Sequence, residues 1–279
     1  MQKLPLSGAR GKPWSPARRH HAWLATWLQD RRRSRVVAPE PPVTLLTGLV
    51  AYWNLDETDF SYGAADATAN SIPALPLDYD LPTAVAGILG GGCDFHYTDG
   101  GWPERRLGSS DARLWLAEDF SVSVWVSRFG GDYAYCIYHT QDPYGYNGIA
   151  SFTQFYVSEA DGSVTFGLWW PPEHFGSGDP GYAYVRTGAD CVPTDSSWHH
   201  LVAMREGTTL KLYVDGALGE TVAMPGPLEV KGDTFVGSQT WGYDFHGVLD
   251  EIGFWNRALS AAEVEQLFNN GSALAYEWF

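Results

Sequence analysis

The chain of 279 residues contains 13 Trp, 15 Tyr and 31 Gly, a composition that suits many short strands joined by tight turns and argues against a helical bundle. Its formal charge of −15 is unevenly spread, because the first 42 residues carry 9 basic and 2 acidic side chains, a net +7, which leaves −22 for the remainder. Such an acidic body repels nucleic acid and anionic membranes, so neither is expected as a partner of residues 43–279.

The first predicted element is a helix over about residues 16–33. Ser15 supplies a capping hydroxyl and Pro16 suits the first helical position, and a proline-rich stretch then ends the helix and predicts a stiff connector. Residues 1–42 are therefore predicted to be a basic arm that docks on a larger protein assembly, followed by one domain over residues 43–279. The residues that this arm would offer to a partner are Trp23, Trp27, Arg31, Arg32 and Arg33.

From Gly48 the hydrophobic period changes to two, which is typical of strands with one buried face. Strands of this kind are predicted at 120–127, 164–170, 198–204 and 210–214. No crossover helix separates one strand from the next, so the sheets should be antiparallel and packed face to face. One short helix is predicted near the end, where residues 260–263 form a capping box and Gly271 ends the helix.

Two further features concern the location of the protein. No apolar run is long enough to span a bilayer, and the N-terminus lacks the uninterrupted apolar core of a secretory signal. We therefore expect a protein made in the cytoplasm without a signal peptide. The three widely spaced cysteines, Cys93, Cys136 and Cys191, allow at most one disulfide and are interpreted as small buried hydrophobic residues.

Four segments together resemble a known family. They are residues 48–57 (GLVAYWNLDE), 119–126 (DFSVSVWV), 198–216 and 247–260 (GVLDEIGFWNRALS). In this order they resemble the laminin-G-like jelly-roll domains of the concanavalin A-like lectin and glucanase superfamily. The resemblance extends from residue 48 to 271. It implies an all-β, two-sheet antiparallel jelly-roll sandwich whose concave face and rim loops bind glycans or protein surfaces, and it does not by itself imply an enzyme.

The sequence offers no catalytic pair. Relatives that cleave glucans carry a Glu-x-Asp-x-Glu run, because retaining hydrolysis needs an acid and a nucleophile about 5 Å apart. The nearest candidates here, Asp56–Glu57 and Asp250–Glu251, are adjacent residues, which in a strand point to opposite faces. No catalytic residue is predicted.

The resemblance also implies a structural calcium ion where the first and last strands meet. Asp250 would be a carboxylate ligand, and an oxygen shell would be completed near Asp56 and Asp94. The alternative is that Asp250 caps a turn or pairs with Arg257. A zinc site at the adjacent histidines 199 and 200 is not expected, because neighbouring strand residues face opposite ways.

Three loops, at residues 133–148, 170–184 and 241–246, combine aromatic residues with glycine and acids. Sugar rings present apolar C–H faces and a hydroxyl edge, which a Trp or Tyr beside Asp or Asn can match. The alternative is that these aromatic rings pack against one another or against a neighbouring subunit. The predicted ligand-binding residues are Asp142, Tyr144, Tyr146, Asn147, Trp170, His174, Trp241 and Tyr243.

The sequence thus predicts a non-enzymatic binding or structural protein. The first hypothesis is a surface protein of a phage virion or similar particle, anchored by its arm, homo-oligomeric, and in contact with glycans or a host surface. It is motivated by the lack of a signal peptide, because phage particles leave cells by lysis. The alternative is a free carbohydrate-binding lectin or the binding module of a cell-surface protein. A third interpretation lays the arm helix on an anionic membrane.

Overall fold

A computed structural model of the protein describes residues 45–77, 80–96, 105–115, 118–129, 135–141, 152–158, 160–170, 181–224, 232–239 and 243–279. Within these ranges the chain forms two large antiparallel sheets, a two-stranded hairpin, one α-helix and short 3-10 turns. The predicted arm and connector lie outside the described residues.

The eight-stranded sheet contains the first and the last strand of the domain. Its strands, numbered in chain order, are β1 (Leu49–Trp53), β3 (Thr83–Ala86), β4 (Gly91–Asp94), β6 (Phe120–Arg128), β11 (Trp198–Glu206), β12 (Thr209–Val214), β13 (Ala217–Ala223) and β17 (Gly247–Trp255). They are ordered β13-β12-β11-β6-β17-β4-β3, and β1 also pairs with β17. The first and last strands are therefore hydrogen-bonded neighbours, as the resemblance implied.

The seven-stranded sheet contains β2 (Leu75–Pro76), β5 (Leu107–Ser109), β7 (Tyr135–Gln141), β8 (Phe152–Val157), β9 (Val164–Trp170), β10 (Gly181–Arg186) and β14 (Asp233–Val236). Its order is β10-β9-β8-β7-β14-β5-β2. A small hairpin of β15 (Ser238–Gln239) and β16 (Tyr243–Asp244) follows β14.

The main core lies between the two sheets. Alternate residues of β6, Val122, Val124 and Val126, are fully buried there, in one cluster with Phe155 and Phe166 of the other sheet. This alternation is the period-two pattern of the sequence, since successive residues of a strand face opposite sides. The predicted sandwich of two antiparallel sheets is confirmed.

Left-handed residues close the hairpins of β11, β12 and β13. Gly207, with a φ of 57°, lies in the turn between β11 and β12, while Asp215 and Gly216 have φ values of 50° and 77° between β12 and β13. Two consecutive residues with positive φ match the twist of paired strands, and Asp-Gly is a favoured pair for such a turn. Local sequence therefore fixes this part of the meander.

The predicted C-terminal helix is α1 (Ala261–Phe268). Its capping box is confirmed, because the Ser260 hydroxyl accepts from the Glu263 amide and the Glu263 carboxylate accepts from the Ser260 amide at 2.8 Å. The helix ends before Gly271, because Asn269 takes the left-handed C-cap with a φ of 46°, a conformation that Asn tolerates better than most residues. Among the described residues, no helix has the length and apolar character to cross a membrane.

A second apolar cluster lies on the outer face of the eight-stranded sheet, beneath the C-terminal segment. Rings of Tyr276 and Phe279 pack on Tyr52, with centroids 5.4 and 4.9 Å from its ring, and Trp255 donates from Nε1 to the Leu45 carbonyl at 2.7 Å. The buried members are Leu45, Leu49, Tyr52, Val202, Met204, Tyr213, Trp255, Leu259, Val264 and Leu267. The chain thus covers the central strands of this face with its own residues.

Two of the three cysteines can be assigned. Cys93 is fully buried in the main core and Cys191 is partly buried, and both are free thiols. Cys93 therefore acts as the small hydrophobic residue that the sequence predicted.

Candidate functional site

Strand pairing aligns one residue from each strand of the seven-stranded sheet in a row. The members of this central row are Leu75, Gly108, Phe235, His139, Gln154, Gly167 and Tyr184. Their chain neighbours Val236, Phe155 and Phe166 are buried in the core, so the central row lies on the opposite, outer face. With strands about 4.8 Å apart, a row of seven spans roughly 29 Å.

The central row exposes uncharged side chains at its two ends. Tyr184 and Leu75, at the two ends of the central row, are 50% and 49% exposed, and the Arg106 guanidinium lies 5.2 Å from the centre of the Phe235 ring. No carboxylate occurs in the central row, although residues 43–279 carry a net charge of −22. Amide and aromatic groups of this kind suit a ligand that presents C–H faces and hydroxyls.

The predicted ligand-binding residues fall mostly in segments whose structure is not described. Trp170 ends β9 and Tyr243 begins β16; their backbone is described and their side chains are not. The predicted residues that lie outside the described ranges are Asp142, Tyr144, Tyr146, Asn147, His174 and Trp241.

The strand ends nevertheless show where two of the three loops attach. Residues 142–151 connect β7 to β8 and residues 171–180 connect β9 to β10. Both connections leave the same end of the sheet, because Phe152 pairs with Trp169 and Gly181 pairs with Trp170. We call this the loop end. The Trp241 connection instead follows the opposite end of β14, so it does not attach beside the other two.

A cavity of about 320 Å³ lies where β2, β5 and β14 meet. Asp233, which pairs with Gln141 at the loop end, contributes to it. Its lining residues are Pro73, Leu75, Leu77, Gly108, Ser109, Ser110, Asp111 and Asp233. The sequence gives no sign of this cavity, because its walls come from three separate segments and Asp233 lies more than 100 residues from the other two.

The Asp250 carboxyl lies where β17 changes its partner strand in the eight-stranded sheet. On one edge of β17 the partner changes from β4, which pairs at Leu249, to β1, which pairs from Ile252 onwards. Between these partners Asp250 is fully buried, and its Oδ2 accepts from the amides of Ile88 and Leu89 at 2.8 and 3.2 Å. These contacts agree with the interpretation that Asp250 caps a turn. Its carboxyl links the β3–β4 turn to β17 by hydrogen bonds.

Glu251 departs from the strand geometry that the sequence suggested. It has a φ of 52° in an irregular step of β17, and its side chain is buried beside that of Asp250 and accepts from the Tyr52 hydroxyl. The prediction that this pair would simply project to opposite faces of a regular strand is therefore wrong. Burial raises the pKa of Asp250 to about 9 and that of Glu251 to about 7.

The predicted calcium shell gains no support from the described contacts. Asp250 also accepts from the Glu251 amide, Asp56 accepts from the Gly91 amide at 2.6 Å, and Asp94 accepts from the His96 amide at 2.7 Å. Among the residues that the structure describes, no group of three or more His, Cys, Asp or Glu side chains could hold a metal ion. Calcium binding therefore stays a prediction.

The two adjacent histidines have separate partners. His200 is fully buried and its Nε2 lies 2.8 Å from the Ser123 hydroxyl, and burial lowers its pKa to about 3. His199 faces the other way, with Nδ1 2.9 Å from Asp215 and Nε2 2.9 Å from the Ser197 hydroxyl.

Ser197, His199 and Asp215 are connected like a hydrolytic triad, but their protons are arranged differently. The Ser197 hydroxyl donates to Asp195 at 2.5 Å, and this bond holds the pKa of Asp195 below its usual value. A hydroxyl has one proton to donate, so His199 must donate to Ser197 rather than accept from it. In this arrangement the imidazole cannot serve as the base that activates the serine.

A family match covers more than half of the chain. Residues 106–265 match the Laminin_G_3 family, described as the concanavalin A-like lectin/glucanases superfamily. No curated protein matches the sequence significantly.

Solved structures of binding domains share the fold. The binding domain of Paraclostridial Mosquitocidal Protein 1 aligns with a TM-score of 0.59 at 15% identity, over 81% of this chain and 53% of its own. Domain 4 of AbnA, a GH43 extracellular arabinanase from Geobacillus stearothermophilus, solved with arabinotriose, aligns with a TM-score of 0.58 at 18% identity, over 81% of this chain and 98% of its own. The botulinum neurotoxin serotype D ligand binding domain, solved with N-acetylneuraminic acid, aligns with a TM-score of 0.56 at 9% identity, over 81% and 52%.

This chain thus spans about half of the toxin chains and nearly all of the arabinanase domain. At these identities the likeness shows the shared jelly-roll fold. The family match and the jelly-roll architecture agree, and the chain belongs to the concanavalin A-like lectin/glucanase superfamily.

Proposed function

We propose that the sandwich is a non-enzymatic, glycan-binding module whose binding face is the outer face of the seven-stranded sheet. The observation that carries the proposal is the central row, which has no acidic side chain and exposes Tyr184 and Leu75 on a strongly acidic body. The outer face of the other sheet is occupied by the C-terminal segment. A row without carboxylates on so acidic a body is suited to a neutral ligand that presents C–H faces and hydroxyls.

Two further observations support a glycan as that partner. The arabinanase domain, which this chain covers almost completely in length, was solved with arabinotriose, and the toxin chains are named as binding domains. The loops that carry Tyr144, Tyr146 and His174 connect strands of the proposed face and attach at the loop end. We therefore include the predicted loop residues in the binding site.

Calorimetric titration with arabinohexaose, cellohexaose and 3′-sialyllactose tests the proposal. We expect at least one of them to bind, and Tyr184→Ala to weaken that binding about tenfold, or ~1.4 kcal/mol, without lowering the melting temperature. Leu218→Ala is the matched control, because Leu218 is 52% exposed on an edge strand of the other sheet. Absence of binding to all three probes, or equal losses in both variants, would contradict the proposed face.

We propose as the wider context that the basic segment 1–42 anchors a homo-oligomer of this module on a larger particle, such as a phage virion. The charge division of +7 and −22 motivates this proposal. A variant that lacks residues 1–42 should fold with an unchanged melting temperature but fail to sediment with the particle. Sedimentation of the truncated protein equal to that of the full chain would leave the free lectin as the better account.

A further inference from the structure

We propose that the cavity between β2, β5 and β14 is a subsite for one neutral sugar ring at the β2 end of the binding face. This inference rests on the proposed function and adds to it a defined position and a ligand class. The cavity volume of about 320 Å³ lies at the lower end of the range for small-ligand sites, roughly 300–1,000 Å³. A protein partner would need about 800 Å² of flat contact surface instead.

The cavity has two chemically different walls. Pro73, Leu75 and Leu77 form an apolar wall, and both leucines are more than 40% exposed. The rest of the lining is polar, with hydroxyl and carboxyl side chains from residues 109–111 and Asp233. A sugar ring has the matching pair of surfaces, because its C–H face is apolar and its edge carries hydroxyl groups that donate to carboxylates and serine oxygens.

Gly108 lets the apolar wall pack closely against β5. A Cβ atom there would lie 2.5 Å from the Thr234 carbonyl oxygen and 2.6 Å from Leu77 Cδ1. Any side chain at this position would therefore collide with the strand beside it and with the apolar wall. The Leu77 side chain thus lies directly over the buried backbone of Gly108 and shapes the cavity there.

The lining favours a neutral ligand over an anionic one. Asp111 and Asp233 are the charged lining residues, and both are acidic. The nearby Arg113 guanidinium is held by Asp111, with Nη2 2.6 Å from Oδ2. With a net charge of −22 on residues 43–279, an anionic sugar would be repelled here.

The cavity is continuous with the central row. Leu75 and Gly108 belong to both, and Phe235 is the next member of the row. The cavity would therefore bind the terminal ring of an oligosaccharide that lies across the sheet. The remaining rings would follow the central row towards Tyr184.

The test is calorimetric titration of the full chain and three variants with the same three oligosaccharides, of which the two neutral hexasaccharides are long enough to reach from the cavity to the far end of the central row. Leu75→Ala removes part of the apolar wall and Asp233→Asn removes the carboxylate acceptor, while Leu218→Ala is the matched control at 52% against 49% exposure. We expect tenfold or greater loss of affinity for a neutral hexasaccharide in both cavity variants, little change in the control, and equal melting temperatures.

The possible outcomes separate this inference from the proposed function. If Tyr184→Ala weakens binding while both cavity variants bind as the unaltered protein does, the face stands and the subsite is wrong. Binding of 3′-sialyllactose alone overturns the neutral ligand class. If no probe binds the unaltered protein, both proposals fail. A loss in Leu75→Ala that coincides with a lower melting temperature counts for the subsite only when Asp233→Asn shows the same loss with stability unchanged.

Discussion

The outer face of the eight-stranded sheet is covered by the C-terminal segment, whereas the outer face of the seven-stranded sheet keeps exposed side chains at both ends of the central row. On the eight-stranded sheet, Tyr52 and Trp255 are nearly inaccessible beneath the segment that follows β17. On the seven-stranded sheet, Tyr184 and Leu75 are half exposed at the two ends of a row that crosses every strand. Aromatic residues occur on both faces, so composition alone does not distinguish a face that the chain itself covers from a face that binds a ligand.

The difference teaches which aromatic residues serve stability and which are available for a ligand. A covered ring contributes its buried area to folding, whereas an exposed ring leaves that area for binding. Residues of the first kind should affect unfolding when they are truncated, and residues of the second kind should affect binding.

The largest expected effect is that of Trp255→Ala. Truncation of a fully buried aromatic ring costs about 3–5 kcal/mol of unfolding free energy, and this one also loses the bond from Nε1 to Leu45. Tyr184→Ala should stay within about 0.5 kcal/mol of the unaltered protein. Urea denaturation of both variants measures the contrast, and equal losses would remove the distinction between the faces.

Asp250→Ala should be the next in size, at about 3 kcal/mol, because the buried amides of Ile88, Leu89 and Glu251 lose their acceptor. Asp56→Ala, at an exposed position, is the control and should cost about 1 kcal/mol or less.

Asp250→Ala also tests the predicted calcium site. A bound ion should raise the melting temperature by mass action and Asp250→Ala should remove that rise, whereas identical curves in chelator and in millimolar calcium would count against a site.

Acid should weaken the covered face through His200. Its imidazole packs beside the stacked rings of Trp125 and Phe268, and burial lowers its pKa from 6.5 to about 3. The stabilisation from the neutral imidazole is therefore complete above pH 6.5 and is lost as the pH falls towards 3. Relative to His200→Gln, the protein should lose about 2–3 kcal/mol between pH 7.5 and 4.5. Parallel pH profiles for the two proteins would contradict this assignment.

The smallest expected effect concerns the helix that covers the first face. Ser260→Ala removes the capping hydroxyl of α1 and should cost about 1 kcal/mol, while Ser260→Asp, which keeps a capping oxygen, should restore most of it. If the cap matters only to the covering segment, oligosaccharide affinity stays unchanged in both variants.

Sequence patterns predicted the elements whose causes are local. The alternation in β6 and the Ser260 capping box both depend on residues within a few positions, and each is found in the structure. The left-handed Glu251 could not be predicted, because it follows from the change of partner along β17. The cavity likewise depends on pairing between segments far apart in the chain, such as Leu75 and Asp233.

The central claim is that ligand binds on the seven-stranded sheet. Hydrogen exchange of the full chain, with and without a saturating hexasaccharide, tests it directly, since bound ligand slows the exchange of the amides that it orders. We predict protection in β8, β9, β10 and β14, together with the segments at the loop end. Protection confined to β11, β12 and residues 256–279, or no protection with any of the oligosaccharides at millimolar concentration, would contradict the account.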